Sequence, residues 1–243
     1  MKTVSRATLG TCLLMIALLS GCASLPKTDL NAENREKLHS IAVLQVKEPE
    51  KEGVVNTGGA AAAFGLIGAL TQAAVNNSHT NTYSKRVADE KIVFAPLIVD
   101  GVVDRLNADG YQVVKLGDDQ KVKVSSDGKS DDYSGIHTDA DGILSMWFTS
   151  FGYLSPPESA EFMPAVVLRA RVLDAKTKQD MYFKTFACGY DIKANSVHIE
   201  SDATYRYGTF GTLEDKFDES VQGIKACEQA IVAMIGKDLA RVQ

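Results

Sequence analysis

Three apolar runs follow one another between Ile143 and Asp191, each short and largely alternating, as strands are. They cover Ile143 to Tyr153, Ala165 to Asp174 and Asp180 to Asp191. The first connection carries Pro156-Pro157 and the second is the tight Asp174-Ala-Lys-Thr-Lys178 turn, so the natural result is antiparallel pairing between sequence neighbours. In the middle strand Val166, Leu168, Ala170 and Val172 share one face, while Arg169 and Arg171 share the other with Val167 and Leu173. One face therefore meets a core and the other stays partly wet. The C-terminal stretch supplies a cover: Phe217, Val221, Ile224, Cys227, Ile231, Ile235 and Leu239 recur at helical spacing. That helix is expected to begin near Thr212, which with Asp215 has the spacing of a capping box.

The first half offers a strand, a helix and a strand. Ile41-Ala-Val-Leu-Gln-Val46 is a short β-branched run, and Phe94, Leu97, Ile98, Gly101, Val102 and Leu106 trace one helical face with Pro96 tolerated in the first turn. The helix stops at Asp109-Gly110 and a strand from Tyr111 to Leu116 follows directly, in an order that lets it lie beside the first strand. Gly117 to Gly135 is expected to be a soluble acidic loop between the halves. The pattern predicts an α+β fold: a mixed, largely antiparallel sheet of about five strands, helices packed on one face, and a long C-terminal helix. A hydrophobic content of 45% with 23% charged residues suits one globular domain, placed at residues 39–243.

Between Gly53 and Ser84 there is no Asp, Glu, Lys or Arg. Ala61, Gly65, Ala69 and Ala73 recur at every fourth residue, and with Gly58 they form a candidate interaction segment, since small side chains let another helix approach closely. Thr71 and Gln72 interrupt the apolar character, and the strictly apolar core from Ala60 to Leu70 is about half a bilayer span. Two readings stay open: an amphipathic or buried helix or mobile loop, and a segment that enters a membrane or self-associates. Asn76 to Thr82 is expected to be a polar loop.

At the N-terminus, Lys2 and Arg6 precede an apolar stretch from Leu9 to Leu19 that is too short to span a bilayer, the layout of an export signal. It ends in Leu19-Ser20-Gly21-Cys22, which resembles the lipobox of bacterial lipoproteins. That resemblance implies cleavage after residue 21, a diacylglycerol thioether on Cys22 and acylation of the new amino group. Two or three chains, at roughly 0.8 kcal/mol per buried methylene, make an effectively permanent anchor. The family's sorting rule implies the outer membrane, because Ala23 and Ser24 lack the retaining Asp. Residues 22–38 then form a lipidated N-terminus and tether. Loss of Lys2 and Arg6 makes the formal charge of −5 more negative still, which argues against nucleic acid as a partner. With Cys12 removed and Cys22 capped, Cys188 and Cys227 are the two remaining thiols in an oxidising compartment, so either they pair or each is buried alone.

Further residues carry a second resemblance: Ile41-Ala-Val-Leu44, then Asp109-Gly-Tyr-Gln-Val-Val114, Asp139-Ala-Asp-Gly-Ile-Leu144, and Val167-Leu-Arg-Ala-Arg-Val-Leu-Asp-Ala-Lys-Thr-Lys-Gln-Asp-Met-Tyr182. From Ile41 to Tyr190 the chain is similar to envelope lipoproteins whose periplasmic domain shares the fold of the curli-secretion lipoprotein and of the N-terminal domain of the Tol-Pal propeller protein. The resemblance implies fold and location and lends no catalytic residues. The alternating amphipathic hairpins with which the curli lipoprotein builds its barrel are not found in this sequence.

No catalytic constellation stands out. His39, His79, His137 and His198 lack metal-ligand spacing, and His137-Thr-Asp139-Ala-Asp141-Gly142 has neither the first nor the last ligand of a calcium loop. Asp131, Asp132 and Asp139 are either an acid/base pair or members of a solvated loop. Trp147, Phe148, Phe151 and Tyr153 either line a ligand groove or pack in the core. The expectation is a non-enzymatic, lipid-anchored binding or assembly factor on the periplasmic face of the outer membrane, with no metal or cofactor. Its partner is another envelope protein or a second copy. The alternatives are a subunit of a secretion or transport complex whose residues 58–75 contact the bilayer, and a hydrolase with an unrecognised site.

Overall fold

The computed structural model describes residues 25–58, 65–125, 130–193 and 195–241, without the side chains of 65–68. In chain order the elements are α1 (Ala32–Lys37), β1 (Ser40–Val43), β2 (Gly53–Asn56), α2 (Gly65–Asp89), α3 (Ala95–Ala108), β3 (Gln112–Lys115), β4 (Lys123–Val124), β5 (Asp131–Asp132), β6 (Gly142–Ser150), β7 (Gly152–Ser155), β8 (Met163–Pro164), β9 (Val166–Asp174), β10 (Asp180–Cys188), β11 (Val197–Ile199), α4 (Phe210–Asp215) and α5 (Phe217–Leu239). The fold is the mixed α+β arrangement expected. Its main sheet has six strands in the order β11-β10-β9-β6-β1-β3, where about five were expected, because the short β11 adds itself to β10. The long pairings, β6 with β9 and β9 with β10, are antiparallel. The short ones, β1 with β3, β1 with β6 and β10 with β11, are parallel.

Alternation assigns the two faces. Leu144, Met146, Val166, Leu168, Ala170, Val172, Tyr182 and Phe186 enter the main core with Ile98, Val102 and Leu106 of α3 and Val221, Ile224, Ile231 and Ile235 of α5. The helices thus cover one face. On the other face a smaller cluster forms from Ala42, Leu44, Ile143 and Leu173 with Leu116, Tyr133, Ile136 and Ala140. The expected soluble loop of Gly117 to Gly135 is therefore corrected: it carries the β4–β5 hairpin and sends Tyr133 onto the sheet. The apolar Tyr133 and Ile136, sparse among acids, are what hold it there.

Two further expectations are corrected. The tether does not extend to residue 38. Thr28 exchanges two backbone hydrogen bonds with Phe183 at 2.8 Å, and Leu30 and Leu38 are buried. Arg35 donates to the Ala240 and Asp238 carbonyls beyond and within α5. The short α1, capped by Asn31 at 2.7 Å, is thereby fixed to the body despite its polar sequence. The C-terminal helix is likewise in two pieces: α4 starts under a Thr209 cap, not at Thr212, and the chain breaks at Lys216 before α5 begins.

Strand β6 leaves the main sheet through a bulge between Phe148 and Ser150, and β7 then joins a second sheet of order β2-β7-β8. Gly152 sits at this crossing with φ +132°, and a Cβ there would fall 2.2 Å from the Gly53 carbonyl oxygen. Only glycine lets the β2 and β7 backbones meet.

Candidate functional site

The uncharged segment folds in a way its composition conceals. Helix α2 runs straight through Asn76 to Thr82, which were expected to form a polar loop. Its polar side chains complete the edge of β2. Asn56 N donates to Asn76 Oδ1 at 2.9 Å, Asn76 Nδ2 donates to the Asn56 carbonyl at 3.0 Å, Val54 N donates to Thr80 Oγ1 at 3.0 Å, and Glu52 N donates to Ser84 Oγ at 2.8 Å. Four helical residues rise about 6 Å and two strand residues about 6.6 Å, so positions 76, 80 and 84 keep step with 56, 54 and 52. Beyond this ladder, Tyr83 and Val87 enter the core, and the Tyr83 hydroxyl meets Ser220 Oγ at 2.8 Å. His79 stacks on Phe210 with ring centroids 3.9 Å apart, and burial lowers its pKa.

The turns of the same helix that precede the ladder are bare. Ala69, Leu70, Ala73, Ala74 and Val75 are exposed, Leu70 by 64%. Of the candidate interaction residues, Ala69 and Ala73 lie on this surface, Gly65 opens the helix, and Ala61 falls outside the described residues. Gly58 is separate and buried, where a Cβ would stand 3.1 Å from the Pro156 carbonyl oxygen and 3.2 Å from Pro157 Cα.

A cleft of ≈ 480 Å³ opens on the sheet face away from α3 and α5, between the ends of β1 and β6 and the chain following β3. Tyr133 and Ser145 lie in its buried part, with the Tyr133 hydroxyl donating to Ser145 Oγ at 3.2 Å, and Trp147 lines it half-exposed. Gln45, Lys47, Asp118, Gln120, Lys121 and Asp131 supply its polar groups. Beside it, the Arg171 guanidinium is held between the Tyr133 and Phe183 rings and by Asp180 at 2.9 Å. Of the aromatic run, Phe148, Phe151 and Tyr153 pack with the core while Trp147 alone faces the cleft. The signal was legible: Trp147 alternates out of phase with Leu144, Met146 and Phe148, which places it on the wet face with Arg169.

Cys188 and Cys227 form a disulfide, Cα to Cα 5.6 Å, joining the end of β10 to α5. Closing a separation of 39 residues contributes about 4 kcal/mol on the chain-entropy model. Cys22 lies outside the described residues. Among the other sequence candidates, Asp141 accepts from His39 N, Ser40 N and Ser40 Oγ at 2.8 to 2.9 Å, so it organises the start of β1. Asp132 accepts from Ser134 N in a turn, and Asp131 lies 3.8 Å from Arg171. Among the described residues no group of His, Cys, Asp and Glu is placed to hold a metal. Glu228, a carboxyl on the apolar stripe of α5, is fully buried, and neither of its oxygens has a hydrogen-bond partner among the described residues; burial pushes its pKa up to about 9.

No protein-family model matches the chain, and no curated protein does. Solved structures do resemble it. The PelC dodecamer from Paraburkholderia phytofirmans is 12% identical, with a TM-score of 0.40 over 90% of this chain and 97% of that one. Protein XCC0632 from Xanthomonas campestris is 8% identical, with a TM-score of 0.39 over 84% and 82%. Lipoprotein GNA1162 from Neisseria meningitidis is 13% identical, with a TM-score of 0.26 over 75% and 97%.

Proposed function

We propose that the chain is a lipid-anchored, non-enzymatic binding or assembly factor of the cell envelope, held on the periplasmic face of the outer membrane through Cys22. One observation carries the contact role: the first half of α2 presents Ala69, Leu70, Ala73 and Val75 to solvent within a stretch lacking Asp, Glu, Lys and Arg. A helix face that serves only solubility is normally charged. An uncharged one that none of the described residues covers suits contact with another envelope protein or a second copy.

The anchor reading rests on Leu19-Ser20-Gly21-Cys22 and gains a geometric consequence from the body. Thr28 is already bonded to β10, so lipid on Cys22 leaves six residues of leash. At about 3.5 Å each, that keeps the body within roughly 20 Å of the bilayer.

The test has two parts. Mass spectrometry of the processed N-terminus is expected to show diacylglyceryl Cys22, with salt-resistant membrane association that Cys22→Ser abolishes. Residues 58–75 are then replaced by a short glycine linker, which the Asn56–Asn76 contact allows. Loss of envelope crosslinks or of oligomer size is the expected result, with the disulfide-linked body still folded. Unmodified Cys22 in a soluble protein removes the anchor, and an unchanged crosslinking pattern removes the α2 surface. Loss of vesicle association by the unlipidated protein would instead point to direct bilayer contact by this segment.

A further inference from the structure

The cleft beside β6 is chemically unlike the uncharged surface of α2. We infer that it is a binding site for a neutral saccharide unit. Its ≈ 480 Å³ lies within the roughly 300–1,000 Å³ of small-ligand sites, and it is walled by rigid sheet on one side. Trp147 brings an aromatic surface, the complement of the apolar C–H face of a sugar ring. Deeper in, the Ser145 hydroxyl accepts from Tyr133 and keeps its own proton to donate. Gln45 and Gln120 add amides held in place by the chain itself, Gln45 Nε2 donating to the Leu116 carbonyl at 3.0 Å and Gln120 Oε1 accepting from His137 N at 3.1 Å, and each amide keeps a second hydrogen and further lone pairs for a ligand's hydroxyls.

Charge decides against other ligand classes. Lys47 is engaged by Glu50 at 3.0 Å and Asp131 lies 3.8 Å from Arg171, which leaves Lys121 and Asp118 as one rim charge of each sign, so the lining has no net sign with which to attract a phosphate or a metal cation. Arg171 adds none, because Asp180 engages its guanidinium at 2.9 Å. A purely apolar ligand would leave these rim groups desolvated and unpaired. A ligand that is uncharged yet dense in hydroxyls, with one apolar face, satisfies both constraints.

Trp147 is the chain's single tryptophan, so its fluorescence reports on this cleft alone. The full-length protein, in a detergent without a sugar headgroup, is titrated with cellotriose, with chitotriose and with trialanine. A saturable emission shift with at least one trisaccharide is expected, with half-saturation on the order of a millimolar. Asp118→Ala and Lys121→Ala, both at exposed rim positions, are each expected to raise that concentration about fivefold, the equivalent of one rim hydrogen bond. Their melting temperatures should match the parent's, which separates lost contacts from lost folding. The site is overturned by the absence of a saturable shift with either trisaccharide, by an equal response to trialanine, or by indifference to both substitutions. Since the readout does not depend on Cys22 or on α2, its failure leaves the envelope role standing, and the reverse holds too.

Discussion

Glu228 is a buried carboxyl without a hydrogen-bond partner among the described residues, and its burial has an energetic consequence. The unfolded chain releases this proton near the ordinary value of 4.5, whereas the folded one keeps it to about 9. Between those values the native state binds the extra proton, so stability falls as pH rises from about 4.5 and levels off above 9. At pH 7 the accumulated cost is about 3 kcal/mol, at 1.36 kcal/mol per unit. Glu228→Gln is expected to flatten this slope and to gain stability of that order at neutral pH. Urea unfolding of parent and variant at pH 5, 7 and 9 checks it: parallel pH profiles would refute the assignment. Periodicity alone points to burial, because Glu228 follows Ile224 by four residues and precedes Ile231 by three on the apolar stripe of α5, and only the packing of neighbouring elements decides that its carboxyl finds no hydrogen-bond partner among the described residues.

At the scale of elements, α2 is the instructive case. Asn76, Thr80 and Ser84 are poor helix formers that usually favour caps and turns, because their side chains bond to backbone groups. Here those same side chains bond to the backbone of another element, the edge of β2, and the helix survives. Asn76→Ala removes a donor and an acceptor at Asn56 together, so a loss of about 1–3 kcal/mol is expected. Faster hydrogen exchange at the Asn56 amide, with the β9–β10 amides unchanged, is the signature to look for. Uniform acceleration throughout the protein would mean that the ladder does not act locally. By contrast, β9 was legible residue by residue, since strict alternation between two environments is written into its own sequence.

For the molecule as a whole, the N-terminal segment belongs to the folded body. Leu38 is fully buried against Gly142, where any side chain at 142 would collide with it. Leu38→Ala should cost about 2–4 kcal/mol, read as a lowered urea midpoint. A tether would tolerate the change without effect. Asp29 and α5's Asp238 both bind Lys184 at 2.7 to 2.8 Å, which ties this segment to β10 and α5 together.

Local pattern was enough for the strand meander, the two-faced sheet and the covering helices, because each depends on hydrophobic spacing. Compartment reasoning offered the Cys188–Cys227 pair but could not bring its ends together; the docking of α5 on β10 does. The ladder on β2, the cleft under Trp147, the isolation of Glu228 and the docking of the segment from Thr28 to Leu38 on the body were decided only in three dimensions. Each arises where residues far apart in the chain satisfy, or fail to satisfy, one another's polar groups, and a one-dimensional period cannot record that.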